Sequence, residues 1–92
     1  SRDFSARPVH GGSPAYPSEY EEQGRSGVVG VGCRIETSGV PTGCHVTHVA
    51  GGEAFGNAVL DWLRSGRVRF APILRNGQPV AETQSWNVTF SP

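Results

Sequence analysis

Hydrophobic and polar positions alternate from Val28 to Glu36. Val29, Val31, Cys33 and Ile35 share one parity; Gly30, Gly32, Arg34 and Glu36 share the other. A period of two over such a run predicts a strand with one face buried. Thr37-Ser38-Gly39-Val40 has turn composition, so a second strand carrying Cys44, Val46 and Val49 folds straight back on the first. The period then changes. From Glu53 to Arg64, Phe55, Val59 and Leu63 recur four apart, with Ala58 and Trp62 widening the stripe, which predicts an amphipathic helix ended by Gly66. Phe70-Ala71-Pro72 turns the chain and Asn76-Gly77 is a hairpin-type turn signal. A final strand places Trp86, Val88 and Phe90 inward and Asn87 and Thr89 outward. Ahead of the first strand, the prolines hold Pro14-Ala15-Tyr16-Pro17 extended, because each fixes its own φ and disfavours helix for the residue before it. Pro17 suits the first position of a short helix to about residue 23, with Glu19, Glu21 and Glu22 at its electropositive end and Gly24 as its C-cap.

Residues 1–13, with Pro8, Gly11, Gly12 and Ser13, show no period and read as the end of a flexible linker. Residues 14–92 read as one α+β domain of order helix, strand, strand, helix, strand. A three-stranded antiparallel sheet is packed by one main helix, with a short helix at the N-terminal end.

The two cysteines fall on the apolar face of the expected hairpin. A symmetric hairpin centred between Ser38 and Gly39 sets opposite each other residues whose numbers sum to 77, and Cys33 and Cys44 do so. Directly opposed Cβ atoms lie ~4.5–5.5 Å apart, near disulfide reach. The register therefore predicts a Cys33–Cys44 disulfide, two buried free thiols being the alternative. Their spacing does not fit C-x-x-C redox chemistry, and two cysteines alone do not make a structural zinc site.

In 92 residues with eight arginines, no lysine, eight acids and zero net charge, there is no basic stripe for nucleic acid. No apolar run is long enough to span a bilayer. The chain opens on polar Ser1-Arg2-Asp3 without an initiating Met and shows no signal peptide, which reads as a piece of a larger protein. His45 and His48 have opposite parity on their strand and are expected on opposite faces, unable to chelate together, while His10 lies in the linker. Glu21 and Glu22 diverge on a helix. No nucleophile elbow or phosphate loop occurs. Catalytic residues, metal and cofactor are all read as none.

A hairpin of the first two strands leaves the last strand to attach outside one of them, where it forms a sheet edge able to template a guest strand. Sequence alone favours the plainer alternative, an edge that is merely solvated or blunted. Read together and in order, Tyr16-Pro17, the alternating strand from Gly27 to Ile35, the Ser38-Gly39 turn, the second strand, the helix, Val68-Arg69-Phe70-Ala71-Pro72 and the closing strand resemble the C-terminal domain of TonB-family energy transducers, over roughly residues 14 to 91.

The resemblance implies a periplasmic domain that pairs its last strand with the TonB box of an outer-membrane transporter. It implies no enzymatic activity. In the missing part of such a protein, an inner-membrane helix engages ExbB and ExbD. Carried onto this chain, the partner-binding residues are Ser13, Pro14, Ala15, Tyr16 and Pro17, together with Gln84, Ser85, Trp86, Asn87, Val88, Thr89 and Phe90. Tyr16 and Phe70 would anchor the two non-helical segments, and Arg67 and Arg69 would meet acidic receptor groups. An exposed edge also allows a strand-exchanged homodimer of the isolated domain. The cysteine pair and the Gly-Gly-Ser-Pro-Ala stretch before Tyr16 depart from the family pattern. The rival readings are a TolA-like or secretion-related periplasmic scaffold, and a secreted, disulfide-stapled binding module.

Overall fold

The structure is a computed structural model that describes residues 8–92; the first seven residues of the expected linker lie outside the described residues. In chain order the elements are β1 (Pro8–His10), α1 (Ser18–Glu22), β2 (Gly27–Ile35), β3 (Pro41–Ala50), α2 (Glu53–Leu63), β4 (Arg69–Phe70), β5 (Ile73–Arg75), β6 (Gln78–Val80) and β7 (Glu82–Phe90). The main sheet has the order β3-β2-β7, all antiparallel, with β2 central. Two small ribbons, β1 with β4 and β5 with β6, accompany it. The expected α+β layout with one helix on a three-stranded sheet is what the chain forms, and the strands at 69–70, 73–75 and 78–80 are additions to it. The segment expected as linker holds β1, whose Pro8 pairs with Phe70.

The core follows the two periodicities. Val29, Val31, Cys33 and Ile35 from β2 meet Phe55, Val59, Trp62 and Leu63 from α2, and all are buried. Trp86 and Val88 of β7 pack against that cluster half-buried, and Phe90 is fully part of it. The short helix α1 ends where Gly24 allows it to. At φ 65° Gly24 takes the left-handed conformation, its N–H bonds to the Glu21 carbonyl at 3.0 Å and the Arg25 N–H to the Tyr20 carbonyl at 2.8 Å. This is the paired pattern of a Schellman cap.

The β2–β3 register is not the single symmetric one. Val28, Val29 and Gly30 face Ala50, Val49 and His48; Val31 and Gly32 face Val46 and His45; Arg34 and Ile35 face Thr42 and Pro41. The register therefore shifts twice, between Gly30 and Val31 and between Gly32 and Arg34. The first shift is a bulge that leaves Thr47 as the extra residue on β3. It corrects the strand parity: Val46 and Val49 both point to α2, and His45 and His48, expected on opposite faces, lie on the same one. The disulfide does form, with Cys33 and Cys44 joined and their Cα atoms 4.1 Å apart.

At the hairpin end, Thr42 Oγ1 donates to the Glu36 carboxylate at 2.6 Å and Arg34 Nε donates to the same group at 3.2 Å. These contacts, the threonine hydrogen bond first, outweigh desolvation and hold the Glu36 carboxyl below its ordinary value. Because the folded-state value is the lower one, this contact favours folding above the ordinary carboxylate range and is lost as pH falls through the lowered value. Thr42→Val should return the Glu36 titration upward toward an unperturbed carboxylate, as read by carbon-detected NMR. For the core, Phe55→Ala should lower the unfolding free energy by about 3–5 kcal/mol. Replacing both cysteines by serine should lower it by about 2–5 kcal/mol. Urea titration of each variant measures both.

Candidate partner-binding surface

Pro17 leads into α1 with φ −59° and ψ 126°, an extended geometry that swings the preceding residue toward the core. The Tyr16 ring stands edge-on to Phe55 and Phe90, with centroids 5.7 and 5.5 Å away, and its hydroxyl donates to the Arg25 carbonyl. Tyr20 packs on Phe55 at 4.7 Å and carries the Arg25 guanidinium over its face at 4.3 Å. Phe55 and Phe90 are themselves 4.6 Å apart. The segment entering the domain, the start of α2 and the last residue of β7 thus converge on one aromatic cluster. Phe70 anchors the other non-helical segment, buried and edge-on to Trp86 at 5.3 Å.

The expected site residues fall into two groups. Ser13, Ala15 and Pro17 line a groove of about 400 Å³ along α2, facing Asn57, Ala58 and Asp61, while Pro14 is half-buried beside them. Gln84 to Phe90 lie on β7, an outer strand of the main sheet. Gln84, Trp86 and Val88 are half-buried on the α2 side; Ser85, Asn87 and Thr89 are exposed on the open side. The Tyr16–Phe90 contact is the point where the two groups meet. Of the two arginines expected to help, Arg67 lines the groove, whereas Arg69 turns its guanidinium back onto the carbonyls of Gly66 and Val68 at 3.3 and 3.0 Å.

One part of this surface was not foreseen. The Gly11 carbonyl accepts a 2.8 Å hydrogen bond from the Trp62 indole, so the arm ahead of Ser13 is tied to α2. The signal was Trp62 itself: on the buried stripe its indole N–H needs an acceptor, and the hydrogen-bonded backbone of its own helix offers none. Among the described residues, no three His, Cys, Asp or Glu side chains gather where one ion could sit. None of the helices there is long and apolar enough to cross a membrane.

Fold and surface together define a small α+β domain with one helix laid across a three-stranded sheet whose last strand is outermost. The family model described as the Gram-negative bacterial TonB protein C-terminal matches residues 12–92, and the chain belongs to that family. A solution NMR structure of the Pseudomonas aeruginosa TonB C-terminal domain is similar to it with a TM-score of 0.75 at 23% identity, covering 99% of this chain and 90% of that one. At that identity the likeness shows the fold. No curated protein matches the chain. The family consists of periplasmic domains of inner-membrane-anchored proteins and is known for interacting with outer-membrane receptors.

Tyr16→Leu should cost about 1–3 kcal/mol, two aromatic pairs at ~0.5–1.5 kcal/mol each. In hydrogen exchange, the loss of protection should centre on α1 and on the Phe90 end of β7.

Proposed function

We propose that this domain is a force-coupling adaptor without catalytic chemistry of its own. It binds the TonB box of an outer-membrane transporter by strand addition along β7 and passes on a pull generated by the inner-membrane proton-motive complex of ExbB and ExbD. The observation that carries this reading is the outer position of β7 in a domain of this family. A strand added to an outer strand is held mainly by backbone hydrogen bonds, which tolerate variation in the guest sequence and so suit one adaptor serving several transporters. Ser13 to Pro17 form the second contact, because their groove lies on the path by which load enters the domain. Tyr16 ties that path to the end of the binding strand through Phe90. The division of the chain into a linker end at residues 1–13 and an adaptor domain at 14–92 belongs to the same proposal, as does pairing of two isolated domains through their outer strands.

Affinity for a short receptor peptide should be weak, because ordering an extended chain is entropically costly and few side chains become buried. In an amide-shift titration with a TonB-box peptide, the largest changes should fall on residues 84–90 and on Ser13 to Tyr16. Asn87→Pro should weaken binding by removing a backbone donor from β7, with folding checked by thermal melts. Shifts confined to the turn at residues 37–42, or no binding to any receptor peptide or plug domain, would overturn the reading.

A further inference from the structure

The bulge at Thr47 brings together two imidazoles that regular strand parity would separate. Their partners in the register are Gly32 for His45 and Gly30 for His48, two residues apart on one face of β2. Two positions along a strand span about 6.6 Å, so two histidines so placed stand side by side on one face. The glycines make room for them. A Cβ on Gly32 would stand 3.1 Å from His45 Cε1, and a Cβ on Gly30 would overlap the His48 ring. Both rings therefore lie over bare backbone on the open face of the sheet, opposite α2.

His45 Nδ1 is 3.3 Å from the Gly43 carbonyl, which can only accept, so Nδ1 is the donor there, and Nε2 lies over Gly32, 3.3 Å from where its Cβ would stand. His48 Nδ1 is 3.3 Å from Thr47 Oγ1. A ring N–H held by a backbone carbonyl, as at His45, is the arrangement that orients a ligating imidazole, whereas the Thr47 hydroxyl can donate or accept and sets no tautomer at His48. Neither Nε2 bonds to any of the described residues. We propose that His45 and His48 form a two-imidazole site for a late first-row divalent cation. Copper(II) should bind tightest, followed by nickel(II) and zinc(II), as nitrogen donors rank them. Two protein ligands leave the remaining positions open to water or to one donor from a second molecule, unlike a closed structural site. The proposal is independent of strand addition at β7.

Nickel(II) alone is titrated into the folded domain by calorimetry, with copper(II) at substoichiometric amounts as a paramagnetic probe in NMR. His45→Ala and His48→Ala should each weaken nickel binding by about 10²–10⁴-fold, the advantage of two linked contacts over one. His10→Ala should leave it unchanged. Copper broadening should centre on the amides of Gly30, Gly32, His45 and His48. Both histidines are exposed, so the variants should keep the wild-type melting temperature in the absence of metal. Equal affinity in His45→Ala and wild type, binding lost with His10, or broadening spread along the surface away from Gly30 and Gly32 would overturn the site.

Discussion

The packing of rings around Phe55 is the constraint on which the other elements depend. Phe55 is fully buried and is touched by Tyr16, Tyr20 and Phe90, which come from the incoming segment, the short helix and the end of the last strand. Backbone hydrogen bonding alone would leave these pieces free to shift, since α1 has only five residues and no side-chain cap. Edge-on ring pairs have directional preferences, each contributing about 0.5–1.5 kcal/mol beyond the area they bury. The position of each piece is thus fixed by the others. The backbone yields to the rings as well: a Cβ on Gly27 would run into the Phe55 ring and the Ala50 carbonyl, so the first residue of β2 has to be bare. For the proposed force-coupling role the consequence is mechanical. The chain that enters at Tyr16 and the strand that ends at Phe90 meet in one rigid cluster.

Much of this was legible in the sequence because it rests on long runs with a clear period. The alternation of β2, the four-residue repeat of α2 and the alternation of β7 each predicted an element and its buried face, and Gly24 predicted the end of α1. The short strands were not legible. β4 has two residues and β1, β5 and β6 have three each, too few to show a period, and their pairing is set by the core they close. Asn76-Gly77 announced the β5–β6 turn without fixing the length of its arms. At the candidate site, Tyr16-Pro17 and the last strand were visible as a family pattern. The arm held by Trp62 was not, because a hydrogen bond to the Gly11 carbonyl leaves no mark on the sequence around Gly11.

The bulge is the instructive miss. Val46 and Val49 are three apart, an odd interval that a regular strand cannot place on one face, yet both pack against Gly56 of α2. That interval was the signal for an inserted residue at Thr47, and reading the histidines by simple parity ignored it. The disulfide was predicted from a symmetric hairpin, and that register holds only at Val31–Val46 and Gly32–His45. Cys33 and Cys44 adjoin those two pairs, which is why the prediction succeeds although the pairs on either side of them are displaced. A staple next to two irregularities also has a physical use. It pins the register locally where a slip would otherwise carry a strand's side chains to the wrong face.

On the open face the glycines of β2 make room for the two imidazoles. With no side chains at Gly30 and Gly32, the rows His45–Gly32–Ser85 and His48–Gly30–Asn87 have a bare centre between polar flanks. Adjacent strands are ~4.8 Å apart, so the backbones of β3 and β7 lie about 10 Å apart, but the imidazoles reach across β2, and one point above Gly32 is 3.3 Å from His45 Nε2 and 3.4 Å from Ser85 Oγ. A guest strand added to β7 under the proposed function would lie on the side of β7 away from β2 and the imidazoles over it. The two surfaces share β2, the central strand, which the disulfide ties to β3. Under the proposed strand addition a guest on β7 would be held by backbone groups, and the side chains of the open face would not enter those contacts.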